Sequence, residues 1–146
     1  MPGMAPPSHA DKRAVAPEPN GRPRWVVVLG WFAGVFGVAT VFSGGAVLFV
    51  GGPVPVMAGN SVPFVVVFNF VAGFAYLTAA AGLLRGKPWT LPLSATIAAL
   101  TILVFVAFGI HVLAGGPFEV RTVGAMTLRS ALWVGITLAL HIKRHP

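Results

Sequence analysis

The sequence predicts an all-α polytopic membrane protein: a bundle of four transmembrane helices with both termini on the cytoplasmic side. Three observations carry this. First, the 146 residues are 56% hydrophobic and only 9% charged, where a soluble domain carries roughly 25% charged residues. Second, the prolines divide the chain. After Pro23 they fall at 53, 55, 63, 88, 92, 117 and 146, leaving proline-free apolar intervals of 24 to 29 residues. A spanning helix needs about 20 apolar residues, and proline belongs at helix starts and in loops. Third, Lys12, Arg13, Arg22, Arg24, Arg85, Lys87, Lys143 and Arg144 all fall on one side of a four-helix path. The other connections offer only Arg121, so the positive-inside rule puts both termini inside.

The elements follow in order. Residues 1–24 are polar, with six prolines and a mixture of charges. Such a segment cannot bury enough apolar surface to fold and reads as a disordered cytoplasmic tail. The transmembrane domain covers 25–142, and 143–146 form a short cytoplasmic tail. The first helix is expected at about 25–50. That run exceeds the ~7 to 15 residues of a signal-peptide core and reads as an uncleaved signal anchor. Trp25 and Trp89 suit the cytoplasmic interface. The second helix is expected at about 62–84, with Ser61 as N-cap ahead of Pro63. The third and fourth are expected at about 89–113 and 118–142, opened by Pro88 and Pro117. Gly30, Gly34, Gly37 and Gly44 form a small-residue stripe on the first helix. On the second, Ala75 and Ala79 make a small-xxx-small pair, with Ala72 and Gly82 nearby. Small residues let helix backbones approach closely in lipid. The stripe serves contacts within the chain or, as the sharper reading, a dimer face.

Composition also excludes. With no cysteine, disulfides, thiolate metal sites and CxxC redox chemistry are absent. The three acids are Asp11, Glu18 and Glu119, and none lies in the middle of an apolar run. An antiporter built on an intramembrane carboxylate therefore has no candidate residue. The net charge of +7 comes from residues flanking the spans and makes no continuous basic face, so no nucleic-acid partner is expected. His111 and His141 fall at opposite membrane interfaces, a bilayer apart, and so do not suit a shared haem. No catalytic constellation and no cofactor motif is visible.

Arg129 is the informative residue. It lies eight residues beyond Arg121, roughly 12 Å at 1.5 Å per residue. Only thirteen residues separate it from Lys143, too few to span alone, so it belongs inside the membrane helix. At 100° per residue it shares a face with Glu119, Thr122, Met126, Ser130, Trp133 and Thr137. Counting from the helix ends places Asn69 and Ser43 at a similar depth, Thr40 slightly deeper and Tyr76 one layer below Asn69. His111 falls near the outer end of the third helix. The ligand-site expectation is a polar pocket in the periplasmic half. Arg129 would be its anion anchor, Asn69 and His111 its hydrogen-bonding groups, and Glu119 its guard, with Thr122, Met126, Ser43 and Tyr76 around them. Arginine suits carboxylates and phosphates because its fork donates bidentately. The competing reading is structural: Arg129 bonds backbone carbonyls, Asn69 and Ser43, or snorkels toward Glu119 and lipid headgroups. His111 with Met126 and Glu119 is a weak metal candidate, better suited to copper than magnesium.

Two stretches carry a resemblance. One is Phe68-Asn69-Phe70 followed by Gly73-Phe74-Ala75-Tyr76. The other is Glu119-Val120-Arg121-Thr122 followed by Ala125-Met126-Thr127-Leu128-Arg129-Ser130. With His111 they resemble a group of small four-helix bacterial inner-membrane proteins with no assigned activity, over roughly residues 62–141. The resemblance implies a fold and a membrane and brings no chemistry. The expectation from sequence is a non-enzymatic inner-membrane protein, an accessory or small binding module. Its partners would be the lipid bilayer and a second copy or another membrane protein. The alternative is a small transporter or sensor for an anionic or metal solute.

Overall fold

The computed structural model describes residues 23–49 and 62–143, and within them every regular element is helical. The helices are α1 (Arg24–Phe49), α2 (Pro63–Arg85), α3 (Thr90–Leu113) and α4 (Val120–Ile142). All four are long and apolar enough to cross a membrane, and α4 is the least apolar. Arg24 already belongs to α1, so the polar leader stops one residue short of the expected 24. Residues 1–22 and 144–146, with the tails expected there, lie outside the described residues, as do Val50 and Ser61. The residue capping α2 is Val62, which gives no side-chain hydrogen bond, and Pro63 takes the first helical position. There its missing N–H costs nothing. Pro88 and Pro117 precede their helices by two and three residues rather than opening them. Pro88 and Trp89 turn, and Glu119 holds an extended backbone before α4 begins.

The link from α2 to α3 is tight. Gly86 closes α2 at φ 63°, a left-handed conformation that glycine adopts at little cost. The Lys87 N–H then returns to the Gly82 carbonyl at 2.9 Å, satisfying one of the helix's end carbonyls.

Packing explains why the helices stay together. α1 and α2 run antiparallel in close contact. A Cβ at Gly44 would lie 3.1 Å from the Phe70 Cα, and one at Gly37 3.2 Å from the Leu77 backbone nitrogen. Gly34 meets Ala80, and Gly30 meets Leu83 and Leu84. From the other side, Gly73 receives Val41. The glycine stripe of α1 is thus taken up inside the chain. The α2 face it meets is Phe70, Gly73, Leu77, Ala80 and Leu84, spaced three and four residues apart, and not the Ala75–Ala79 pair. Ala72, Ala79 and Gly82 turn instead toward α3 and α4: Gly82 lies against Trp89 and Thr90, while Ala72 and Ala79 join the interior.

That interior is one apolar cluster built by all four helices. Ala33 comes from α1, Tyr76, Ala79 and Leu83 from α2, Ile97 and Ala98 from α3, and Trp133 and Ile136 from α4. A smaller cluster of Val62, Val65, Phe108 and Met126 fills the end near the start of α4. Trp31, Val35, Val38 and Phe42 of α1 point outward, the composition a helix needs against hydrocarbon. Arg24, Arg85, Lys87 and Lys143 gather at one end of the bundle, while Glu119 and Arg121 stand at the other.

Candidate functional site

At the end away from the basic cluster, α1, α2 and α4 part to leave a cleft of about 240 Å³. α1 contributes Ser43, Gly44 and Val47. α2 contributes Val65, Val66 and Asn69, with Val62 just ahead of it. α4 contributes Thr122, Ala125 and Arg129, with Glu119 and Arg121 at the rim. Five of the eight expected site residues therefore line one cleft: Arg129, Asn69, Glu119, Thr122 and Ser43.

The other three do not. Met126 lies on the neighbouring side of α4, fully buried among Val62, Val65 and Phe108. His111 belongs to the α3–α4 corner, where its Nε2 donates to the Pro117 carbonyl at 3.2 Å and its ring meets Phe64 edge-on at 6.3 Å. It packs on Gly116, whose missing Cβ makes room for it. The α3–α4 turn therefore holds His111 away from the cleft. Tyr76 sits in the core below, its ring 6.0 Å from Phe36 and 4.9 Å from Trp133. His111, Met126 and Glu119 are not gathered as a metal set, and no three His, Asp or Glu side chains converge among the described residues.

Glu119 and Arg121 form an exposed ion pair at 3.3 Å. Arg129, half-buried below them, has no hydrogen bond or ion pair with any described residue. Its guanidinium lies over the Phe36 ring, 5.7 Å from the centroid. Its Nε is sealed from solvent, while the side chain as a whole lines the cleft. Neither Ser43 nor Asn69 bonds it. The Ser43 hydroxyl donates to the Thr40 carbonyl at 3.2 Å, and the Asn69 Oδ1 is buried without a partner. Among the described residues the contact that Arg129 makes is the one with the Phe36 ring.

Beneath the cleft the bundle holds further polar atoms. The Tyr76 hydroxyl has Thr101, Trp133 and Arg129 as neighbours. The Tyr76 OH, Thr101 Oγ1, Ser130 Oγ, Trp133 Nε1 and Ser94 Oγ are all buried without a hydrogen-bond partner. Sequence reasoning did not assign Arg121, Gly44, Val47, Val62, Val65, Val66 or Ala125 to the site. For the apolar ones no signal separates a cleft wall from any other buried or lipid-facing valine. No family model matches this chain, no curated protein matches it, and no solved structure matches it.

Proposed function

We propose that the chain is a non-enzymatic protein of the bacterial inner membrane, with both termini cytoplasmic, that binds a small anion in the α1–α2–α4 cleft from the periplasmic side. In this role it is an accessory or small binding module. The observation that carries the reading is Arg129: a guanidinium within a membrane-spanning helix, lining an open cleft, with no acidic partner among the described residues. An arginine at the centre of a membrane helix costs about 2.5–3.5 kcal/mol on insertion scales. The contact with Phe36 returns roughly 0.5–2 kcal/mol. A bound anion supplies the remainder, and the fork geometry of arginine makes a carboxylate or phosphate its natural complement.

A second reading has its own support. The buried polar atoms of Tyr76, Thr101, Ser130 and Trp133 continue inward from the cleft, which favours a transporter or sensor for an anionic solute over a closed binding site. Both readings are tested together. Native mass spectrometry of protein released from lipid discs is expected to show a small anionic adduct that Arg129→Ala loses while remaining folded. The same adduct retained in Arg129→Ala overturns the proposal. Saturable anion flux into liposomes, abolished by Arg129→Ala, selects the transporter.

A further inference from the structure

The charge, size and walls of the cleft narrow its ligand further, a step that rests on the anion-binding reading above. Among the described residues three ionised groups line the cleft: Arg129 at depth, and Glu119 with Arg121 at the rim. The rim pair is joined at 3.3 Å, so its charges cancel and the lining carries one net positive charge, that of Arg129. One cation at depth matches one negative charge. A dianion would leave an uncompensated charge in a low-dielectric site, where it is costly.

Depth separates the ligand from bilayer phosphate. Arg129 lies nine residues into α4 from Val120, roughly 13 Å along the axis, below the level of lipid headgroups. Asn69 lines the cleft beside it with its Oδ1 turned into the protein, so the amide nitrogen is the group left for a ligand. The polar floor therefore offers donors. Between this floor and the rim the walls are mainly Val47, Val62, Val65, Val66 and Ala125, with Ser43 and Thr122 the two hydroxyl residues among them. A multiply hydroxylated ligand body would find only those two hydroxyls there, against five apolar side chains. The volume of about 240 Å³ falls below the ~300–1,000 Å³ of drug-sized sites.

We propose that the cleft binds a short aliphatic monocarboxylate, its carboxylate on Arg129 and its hydrocarbon chain against the valines toward the rim. Calorimetric titration of the full chain in phosphatidylcholine discs tests this with acetate, butyrate, isovalerate and hexanoate, and with succinate and inorganic phosphate beside them. Affinity is expected to rise roughly fourfold per added methylene until the cleft is full. Succinate and phosphate are expected to bind at least tenfold more weakly than butyrate. Arg129→Lys keeps the charge, loses the planar fork and is expected to weaken butyrate at least tenfold. Val66→Phe narrows the wall without touching the arginine. It is expected to remove the gain in affinity from acetate to hexanoate, so the assignment stays testable if the arginine variant unfolds. Phosphate or succinate binding more tightly than butyrate overturns the monocarboxylate assignment and leaves the anion site standing. Carboxylate binding that ignores chain length overturns the aliphatic part. No binding by any of these anions overturns both this inference and the reading beneath it.

Discussion

Thr101 and Tyr76 differ from most hydroxyl residues of this bundle in where their hydrogen bonds go. Thr40, Thr78, Thr96, Thr127 and Thr137 each donate back to the carbonyl four residues earlier, at 2.8 to 2.9 Å, so their helices satisfy them. The Thr101 and Tyr76 hydroxyls neighbour each other across the bundle without reaching hydrogen-bond geometry. A buried hydroxyl left unpaired costs about 1–3 kcal/mol. Thr101→Val keeps the shape and removes the hydroxyl, so it is expected to raise the thermal unfolding midpoint in detergent, by the equivalent of about 1 kcal/mol. A fall of that size would show that the hydroxyl is held, by the Tyr76 hydroxyl beside it or by a buried water. At this scale the sequence was legible in one coordinate. Counting residues from the helix ends put Arg129, Asn69 and Ser43 at one level of the bundle, where they line the same cleft, because rise per residue is nearly constant. Rotation around the bundle was not legible. Met126 is three residues from Arg129 and Tyr76 seven from Asn69, yet both turn into the core. Which face meets which neighbour depends on packing between helices, and no local pattern encodes it.

Among the elements, the α1–α2 pair is the closest union, and its tightness has a sharp test. A Cβ at Gly73 would stand 2.6 Å from the Val41 Cγ2 and 3.1 Å from the Val41 backbone nitrogen. The methyl group of Val41 can move; the backbone nitrogen cannot without shifting α1. Gly73→Ala is therefore expected to destabilise by about 1–3 kcal/mol, the cost of overpacking, as a lowered midpoint in thermal unfolding. Gly109→Ala on α3 is the control. Nothing lies within 4 Å of its added methyl, and alanine is the better helix former by up to about 1 kcal/mol. A neutral or raised midpoint is expected there. Equal losses in the two variants would show that helix propensity, not interlocking, governs the response. The sequence announced the α1 half of this seam through its glycine spacing. It hid the α2 half, because Phe70, Leu77 and Leu84 look like ordinary lipid-facing residues and only Gly73 and Ala80 are small.

For the whole molecule, the division into four helices was readable because proline and hydropathy act locally. Each apolar interval became one helix, with the described ends displaced by at most two residues, the most at Glu119, whose extended backbone delays α4. Membrane orientation rests on charge. Arg24, Arg85, Lys87 and Lys143 share one end of the bundle, the distribution on which the proposed cytoplasmic placement of that end rests. The chain has no cysteine, so single introduced thiols report accessibility without background. In intact spheroplasts, Phe118→Cys is expected to react with a membrane-impermeant maleimide, and Lys143→Cys only after permeabilisation. The reverse pattern would invert the protein and put the cleft on the cytoplasmic side.

The contact between Tyr76 and Trp133 has an optical consequence. Tyr76 is the chain's single tyrosine, and its ring is fixed 4.9 Å from an indole on a different helix. Two chromophores locked at an angle of 39° form a chiral pair whose near-ultraviolet dichroism exists only while α2 and α4 hold their mutual setting. Loss of that band with the far-ultraviolet helix signal intact would mark bundle loosening without helix melting. The protein thus carries its own label-free gauge of tertiary order, one turn of helix below the arginine whose environment it would report.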